Sequence, residues 1–296
     1  MPVTTSDILE RVRRIELRTR KFANDMMAGA YHSQFKGRGL DFEELREYVP
    51  GDDVRTIDWN VTARMRRPFV KLHREERELA VMLVLDISAS GSFGSSSLTK
   101  RDFAAEVAAT VAFSALRNGD KVGLLLFSEE VELFVPPKKG RKHLLRIIRE
   151  ALAFPAKKRG TNIGAALSFV NHVLHRRAVV FLITDFLHSA GQRDLFRELG
   201  QTNARHDLVC VHLHDERERA MPPTGVLLLE DAETGELLEL DTTRASIRTS
   251  FAEAAALRVE HLDRSLTQSA VDVVRLAPSA DFASVLQRFF EMRRRR

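Results

Sequence analysis

The sequence predicts an α/β fold with a doubly wound, mostly parallel sheet. Three observations lead there. Short apolar runs of strand length recur at Ala80–Leu85, Val122–Phe127 and Ala178–Ile183, as expected for strands buried on both faces. Segments of helical periodicity separate them, so strands and helices alternate. The first run then breaks into Asp86, Ser88 and Ser90. Open α/β sheets gather ligands at the carboxyl ends of their strands, near the point where strand order reverses.

Taken in order, Thr5–Gly29 reads as an amphipathic helix with Ile8, Val12, Ile15, Phe22 and Met26 on one face. Residues 31–78 are loop-rich, with a turn at Pro50-Gly51 and strand character only at Phe69–Leu72. Arg46, Asp52, Asp53, Arg55, Asp58 and Arg64 read there as a network of paired charges. A helix over Thr99–Leu116 follows the first strand, with Phe103, Val107, Val111 and Leu116 inward. After Val122–Phe127, a half-exposed edge strand spans Glu130–Val135 and ends at Pro136-Pro137. Helices over Arg141–Ala153 and Ile163–His175 lead to the Ala178–Thr184 strand, a helix over Arg193–Gln201 and a strand over Leu208–Leu213. Val226–Leu229 and Leu237–Leu240 form a β-hairpin inserted at about 222–242. A helix over Ala245–Leu266, a strand over Val271–Leu276 and a helix over Asp281–Met292, capped by Ser279, close the chain. The expected division is residues 1–78 and residues 79–296.

Composition bounds the function. No apolar run approaches the ~20 residues that span a bilayer, and the N-terminus lacks the layout of a signal peptide. Cys210 is the single cysteine, so no intrachain disulfide forms. A cytoplasmic location is expected. The net charge of +5 sets 46 basic against 41 acidic residues, so most charges can balance locally. The basic stretches Arg11–Lys21 and Arg293–Arg296 lack interleaved aromatics, so they read as solvated helix surface, not as a nucleic-acid arm.

An Asp with two hydroxyls suits a hard cation that takes oxygen ligands. The same residues also suit a strand-to-helix turn in which Ser and Asp cap the next helix. Two further segments add to them: Thr161 in the Lys158–Ile163 loop, and Asp185 after the Ala178–Thr184 strand. Asp86-Ile-Ser88-Ala-Ser90, Gly160-Thr161-Asn162 and Thr184-Asp185 together resemble the von Willebrand factor A-like domain with a metal-ion-dependent adhesion site. The resemblance implies hydroxyl ligands from Ser88, Ser90 and Thr161. It also implies that Asp86 and Asp185 act directly or through waters on Mg2+ (or Mn2+ or Ca2+), and that a partner's Asp or Glu completes the shell.

A second signature is Gly37-x-Gly-x-x-Phe-Glu-Glu-Leu-Arg-Glu-Tyr-x-Pro-Gly-Asp-Asp-Val-Arg-x-Ile-Asp-Trp59, with Ala63-Arg64 and Arg74-Glu75 downstream. It resembles the bacterial family catalogued as domain of unknown function fifty-eight. That resemblance implies a chaperone-like or adaptor role beside a MoxR-type AAA+ ATPase, acting on a client protein without catalysis. Two departures stand out: many relatives carry membrane helices, and Gly91-Ser92 replaces a Met often found after the second Ser.

Three other chemistries compete. A phosphate or nucleotide loop is suggested by Gly91–Lys100, although the Gly-Lys-Ser/Thr ending of a P-loop is missing. A serine hydrolase could use Ser88 or Ser90 with His188 as base, but the Gly-x-Ser-x-Gly frame is absent. Cys210, His212 and His214 share one strand face and are zinc-type ligands without an evident fourth.

Overall fold

The computed structural model describes residue 12 and residues 41–74, 79–95, 98–187, 192–232, 234–278 and 281–294. The expected N-terminal helix lies outside this set except for Val12, which is helical and buried. The chain divides into two compact units, residues 31–78, and residues 1–30 with 79–296.

In the smaller unit, β1 (Asp41–Glu47) pairs antiparallel with β2 (Phe69–Arg74), and α1 (Trp59–Met65) lies between them in sequence. A strand therefore forms where the sequence suggested loop. Its irregular charge pattern hides it, and a bulge between Phe42 and Glu44 breaks the alternation. The expected pairing of charges is found in part, and some of the acids also cap turns and helices. Arg46 and Asp52 pair at 2.6 Å. Asp53 accepts the Arg55 amide, and Asp58 accepts the Asn60 and Val61 amides to cap α1.

The larger unit is built on six strands in the order β10-β7-β6-β3-β4-β5. These are β3 (Ala80–Asp86), β4 (Lys121–Phe127), β5 (Val131–Lys138), β6 (Val179–Thr184), β7 (Asp207–Leu213) and β10 (Asp272–Leu276). All neighbours run parallel except β5, which pairs antiparallel with β4. From β3 the chain winds one way to β4 and returns on the other side to β6, so the order reverses between β3 and β6. This is the switch point where an open sheet opens a crevice.

Six helices complete this unit among the described residues: α2 (Lys100–Arg117), α3 (Arg141–Ala153), α4 (Ile163–Val173), α5 (Gln192–Arg205), α6 (Ala245–Gln268) and α7 (Phe282–Arg294). One sheet face packs Met82, Val84, Val180 and Leu182 against Ile163 and Leu167 of α4, Leu199 of α5 and Leu266 of α6. Toward the other face, Phe181 meets Phe290 of α7, and Phe103 of α2 meets Phe282 edge-on. Helix α2 is buried along 13 of its 18 residues, which its many alanines permit by close approach. The hairpin is β8 (Val226–Glu230) with β9 (Leu237–Asp241), a separate two-stranded sheet.

Strand β5 corrects one expectation: it runs through Pro136 and Pro137 to Lys138. An edge strand tolerates proline because one side of it has no ladder to lose. Gly123 opposite makes room, since a Cβ there would stand 3.0 Å from the Pro137 ring and from the Val135 carbonyl. Helix α5 runs four residues beyond its expected end, to Arg205. The Ser279 cap falls outside the described residues. Among the described residues no helix is long and apolar enough to cross a membrane.

Candidate functional site

The parallel pairing of β3 with β6 brings Asp86 and Thr184 to the same carboxyl edge. Thr184 Oγ1 donates to Asp86 Oδ2 at 2.6 Å, and the Ser88 amide donates to Asp86 Oδ1 at 2.9 Å. Ser88 stands just before a short 3-10 turn, Ala89–Ser92, yet its hydroxyl does not cap that turn. It lies 3.1 Å from the Ser90 hydroxyl instead. Helix α2 is capped by Thr99, which accepts the Asp102 amide. The two serines are therefore free of the capping role that competed for them.

Thr161 is delivered by the loop between α3 and α4. The Ala89 amide donates to the Arg159 carbonyl at 3.0 Å, joining this loop to the serine turn. Asn162 caps α4 by accepting the Ala165 amide. Because Asn162 does the capping, the Thr161 hydroxyl is buried with no hydrogen-bond partner. A buried hydroxyl left unpaired costs ~1–3 kcal/mol, so such an atom calls for a ligand.

Asp185 follows β6 in a tight turn. Its Oδ1 accepts the Leu187 amide at 2.9 Å, and Thr184 Oγ1 accepts the Phe186 amide at 3.2 Å. Phe186 adopts a left-handed backbone, φ 56°, a strained state for a bulky residue and one that collects at functional sites.

The charge that controls this corner is not among the site residues expected from the sequence. Lys100 is 2% exposed. Its Nζ lies 2.5 Å from Asp185 Oδ2 and also pairs with Glu218. Burial acts to lower the Lys100 pKa, but the charges of Asp185 and Glu218 outweigh it and hold the ammonium above its ordinary value. The available signal was a lysine in the first turn of a helix, where the dipole disfavours a cation unless an acid faces it. Glu218 carried no comparable signal, being half of an Asp215–Glu218 capping box. Asp215 in turn accepts the Ser95 amide and hydroxyl at 2.8 and 2.6 Å, which tethers the loop after β3 to the loop after β7.

Burial, and then the nearby Asp185 charge, push Asp86 up to about 6. Lys100 pairs with Asp185 and Glu218, and Asp86 lines the same cavity as Lys100 and Asp185, so with these acids ionised the corner carries surplus negative charge. That surplus, with three hydroxyl oxygens, fits a hard divalent cation. Asp86, Ser90, Lys100 and Asp185 line one small cavity.

The competing chemistries find less support. Lys100 binds carboxylates, and Gly94 is a packing glycine whose Cβ would stand 2.5 Å from the Leu98 carbonyl oxygen. The serine hydroxyls face each other, and His188 lies outside the described residues. Cys210 is fully buried, and no three His, Cys, Asp or Glu side chains converge as a metal cluster among the described residues.

An open, doubly wound α/β domain with a crown of hydroxyls and carboxylates at its switch point is the class of protein that this fold and site define. The chain belongs to the family described as "Protein of unknown function DUF58", which matches residues 44–261. It is 33% identical over 287 residues to the uncharacterized protein Rv1480 of Mycobacterium tuberculosis, covering 96% of this chain and 89% of that one. The uncharacterized protein YeaD of Bacillus subtilis is 28% identical over 105 residues, covering 36% of this chain and 24% of that one. Among solved structures, BatB from Bacteroides thetaiotaomicron has a TM-score of 0.47 at 14% identity, covering 74% of this chain and 100% of that one. The SpRpn10 VWA domain has a TM-score of 0.42 at 15% identity, covering 71% and 93%.

Proposed function

We propose that Asp86, Ser88, Ser90, Thr161 and Asp185 hold a divalent cation, Mg2+ above all, and that the protein docks an Asp or Glu of a partner there. The observation that carries this reading is the Thr161 hydroxyl, buried with no partner on the loop that the Ala89 amide ties to the serine turn. A bound Mg2+ supplies a hard positive centre that accepts a carboxylate oxygen. The three hydroxyls offer neutral oxygens, so they leave the surplus charge of the site unchanged. Asp86 contributes charge and orients the Ser88 turn through its amide. Lys100 and Glu218 hold Asp185 in place. The role is binding without turnover, in a cytoplasmic setting. The partner class implied by the family resemblance is a MoxR-type AAA+ ATPase or its client.

Isothermal titration with Mg2+, Mn2+ and Ca2+ tests the site. Asp86→Ala is expected to lose binding at least tenfold, and identical binding in that variant would sink the proposal. Thr161→Val gives a sharper check. It removes an unpaired hydroxyl, so it should leave the metal-free melting temperature unchanged or raised while weakening metal affinity. A pull-down with Mg2+ or EDTA, alongside Ser88→Ala, then asks whether a partner is held through the site. Retention regardless of metal would separate partner binding from the crown.

A further inference from the structure

A cleft of about 550 Å3 opens directly beside the crown and shares Ser90 and Asp185 with it. Its far wall is α6. Only Ala255, Ser265 and Leu266 of that 24-residue helix are buried, so its first half stands clear of the sheet. In that first half only Ala255 is buried, and Ala255 also lines the cleft.

The apolar floor of the cleft is formed by Phe186 and Phe196 together with Phe251, Val259 and Leu262 at the foot of the α6 wall. The strained Phe186 backbone places its ring edge-on to His212, centroids 5.6 Å apart. The His212 side chain also lines the cleft and is 4% exposed, with Nδ1 lacking any hydrogen-bond partner.

The charges around the rim are asymmetric. Each acid is already engaged: Glu218 with Lys100, Glu230 with Arg159 at 2.6 Å, and Asp231 with the Thr234 amide at 2.7 Å. Arg219 and Arg258 also line the cleft, and neither has an acidic partner among the described residues. The uncommitted charge of the cleft is therefore positive.

We propose that this cleft is a specificity site for an acidic peptide segment of the partner: a bulky apolar side chain next to the docked carboxylate fills the floor, and a second acid meets Arg219 or Arg258. The inference rests on the docking reading above and deepens it. Apolar burial supplies affinity that a single carboxylate lacks, and the guanidinia favour acidic over basic sequences.

An array of decapeptides, each with one fixed Asp and randomised flanks, tests this using the full chain in Mg2+ and in EDTA. The expected result in Mg2+ is a several-fold enrichment of Phe, Leu, Ile or Met within two positions of the Asp, together with a second acid. Phe251→Asp should lose the apolar preference, and the surface variant Arg258→Glu should lose the acidic one. Both should melt near the wild-type temperature. Asp dependence with random flanks, or flank preferences unchanged in both variants, would overturn the cleft inference and leave metal docking standing. Flank preferences that persist in EDTA and vanish in the variants would uphold the cleft and overturn metal docking. No enrichment under either condition would overturn both.

Discussion

Lys100 follows the Thr99 cap, so its ammonium sits where the α2 dipole is least favourable to it. Asp185 and Glu218 offset that cost inside a buried cluster. Removing one member of such a cluster costs ~3–5 kcal/mol because the remaining charges stay buried and uncompensated. Lys100→Met should therefore lower the melting temperature in EDTA, and added Mg2+ should recover more of the loss than it adds to wild type. Thermal melts with and without Mg2+ check both parts. Asp86 answers to pH as well. Its pKa is raised to about 6 by burial and then by Asp185, so acid competes with metal for the carboxylate. Mg2+ affinity should fall as pH drops through about 6, read by titration calorimetry across that range.

Among elements, the turn from β3 into α2 has the least slack. A Cβ on Gly94 would meet the Leu98 carbonyl oxygen at 2.5 Å and Thr99 Cα at 2.8 Å, both backbone atoms that cannot swing aside. Gly94→Ala should cost ~1–3 kcal/mol. Because the displaced segment leads into Lys100, Mg2+ affinity should change along with stability. Gly123→Ala makes a useful contrast. It crowds Pro137 on the edge strand at 3.0 Å, far from the crown in sequence and at a different strand, so it should destabilise without altering metal affinity. Urea denaturation and titration of the two variants separate the effects. The hairpin is held toward the Thr161 loop by Arg159, which pairs with Glu230 and donates to the Ala232 carbonyl. That pair is half-exposed and contributes ~0–1 kcal/mol, so it guides the hairpin more than it stabilises the fold.

At the scale of the whole molecule, the sheet buries ionisable groups on its central strands and at their entries. His206 is lowered to about 4 by burial, then by the Arg205 and Arg177 charges. His212 is lowered to about 4 by burial and then chiefly by His214. Both are depressed histidines, so the fold favours their neutral forms. Their stabilising contribution is present above 6.5 and is lost as pH falls toward 4. Asp86 has the opposite sign, since its raised pKa favours the protonated form and makes the fold less stable as pH rises from 3.8 toward 6. Two histidines outweigh one aspartate. The expected outcome is a net loss on the order of 2–4 kcal/mol on acidification through this window. Urea midpoints over that range measure it, and His206→Gln should flatten the profile.

By itself the sequence determined the order of elements from β3 onward and the point where Asp86, Ser88 and Ser90 leave β3. Strands buried on both faces must be apolar, so β3, β4 and β6 announce themselves, and the abrupt return of Asp86, Ser88 and Ser90 marks where β3 leaves the core. The tertiary structure alone decided what lies 85 and 118 residues away from Lys100, because a long-range ion pair leaves no periodic trace in the chain. It alone decided that Asn162 and not Thr161 caps α4, which leaves one hydroxyl over, and that β5 continues through two prolines because it lies at an edge. It also decided that α6 stands away from the sheet. A helix's apolar pattern states which side faces inward, but how close it comes depends on the bulk of the side chains that meet it.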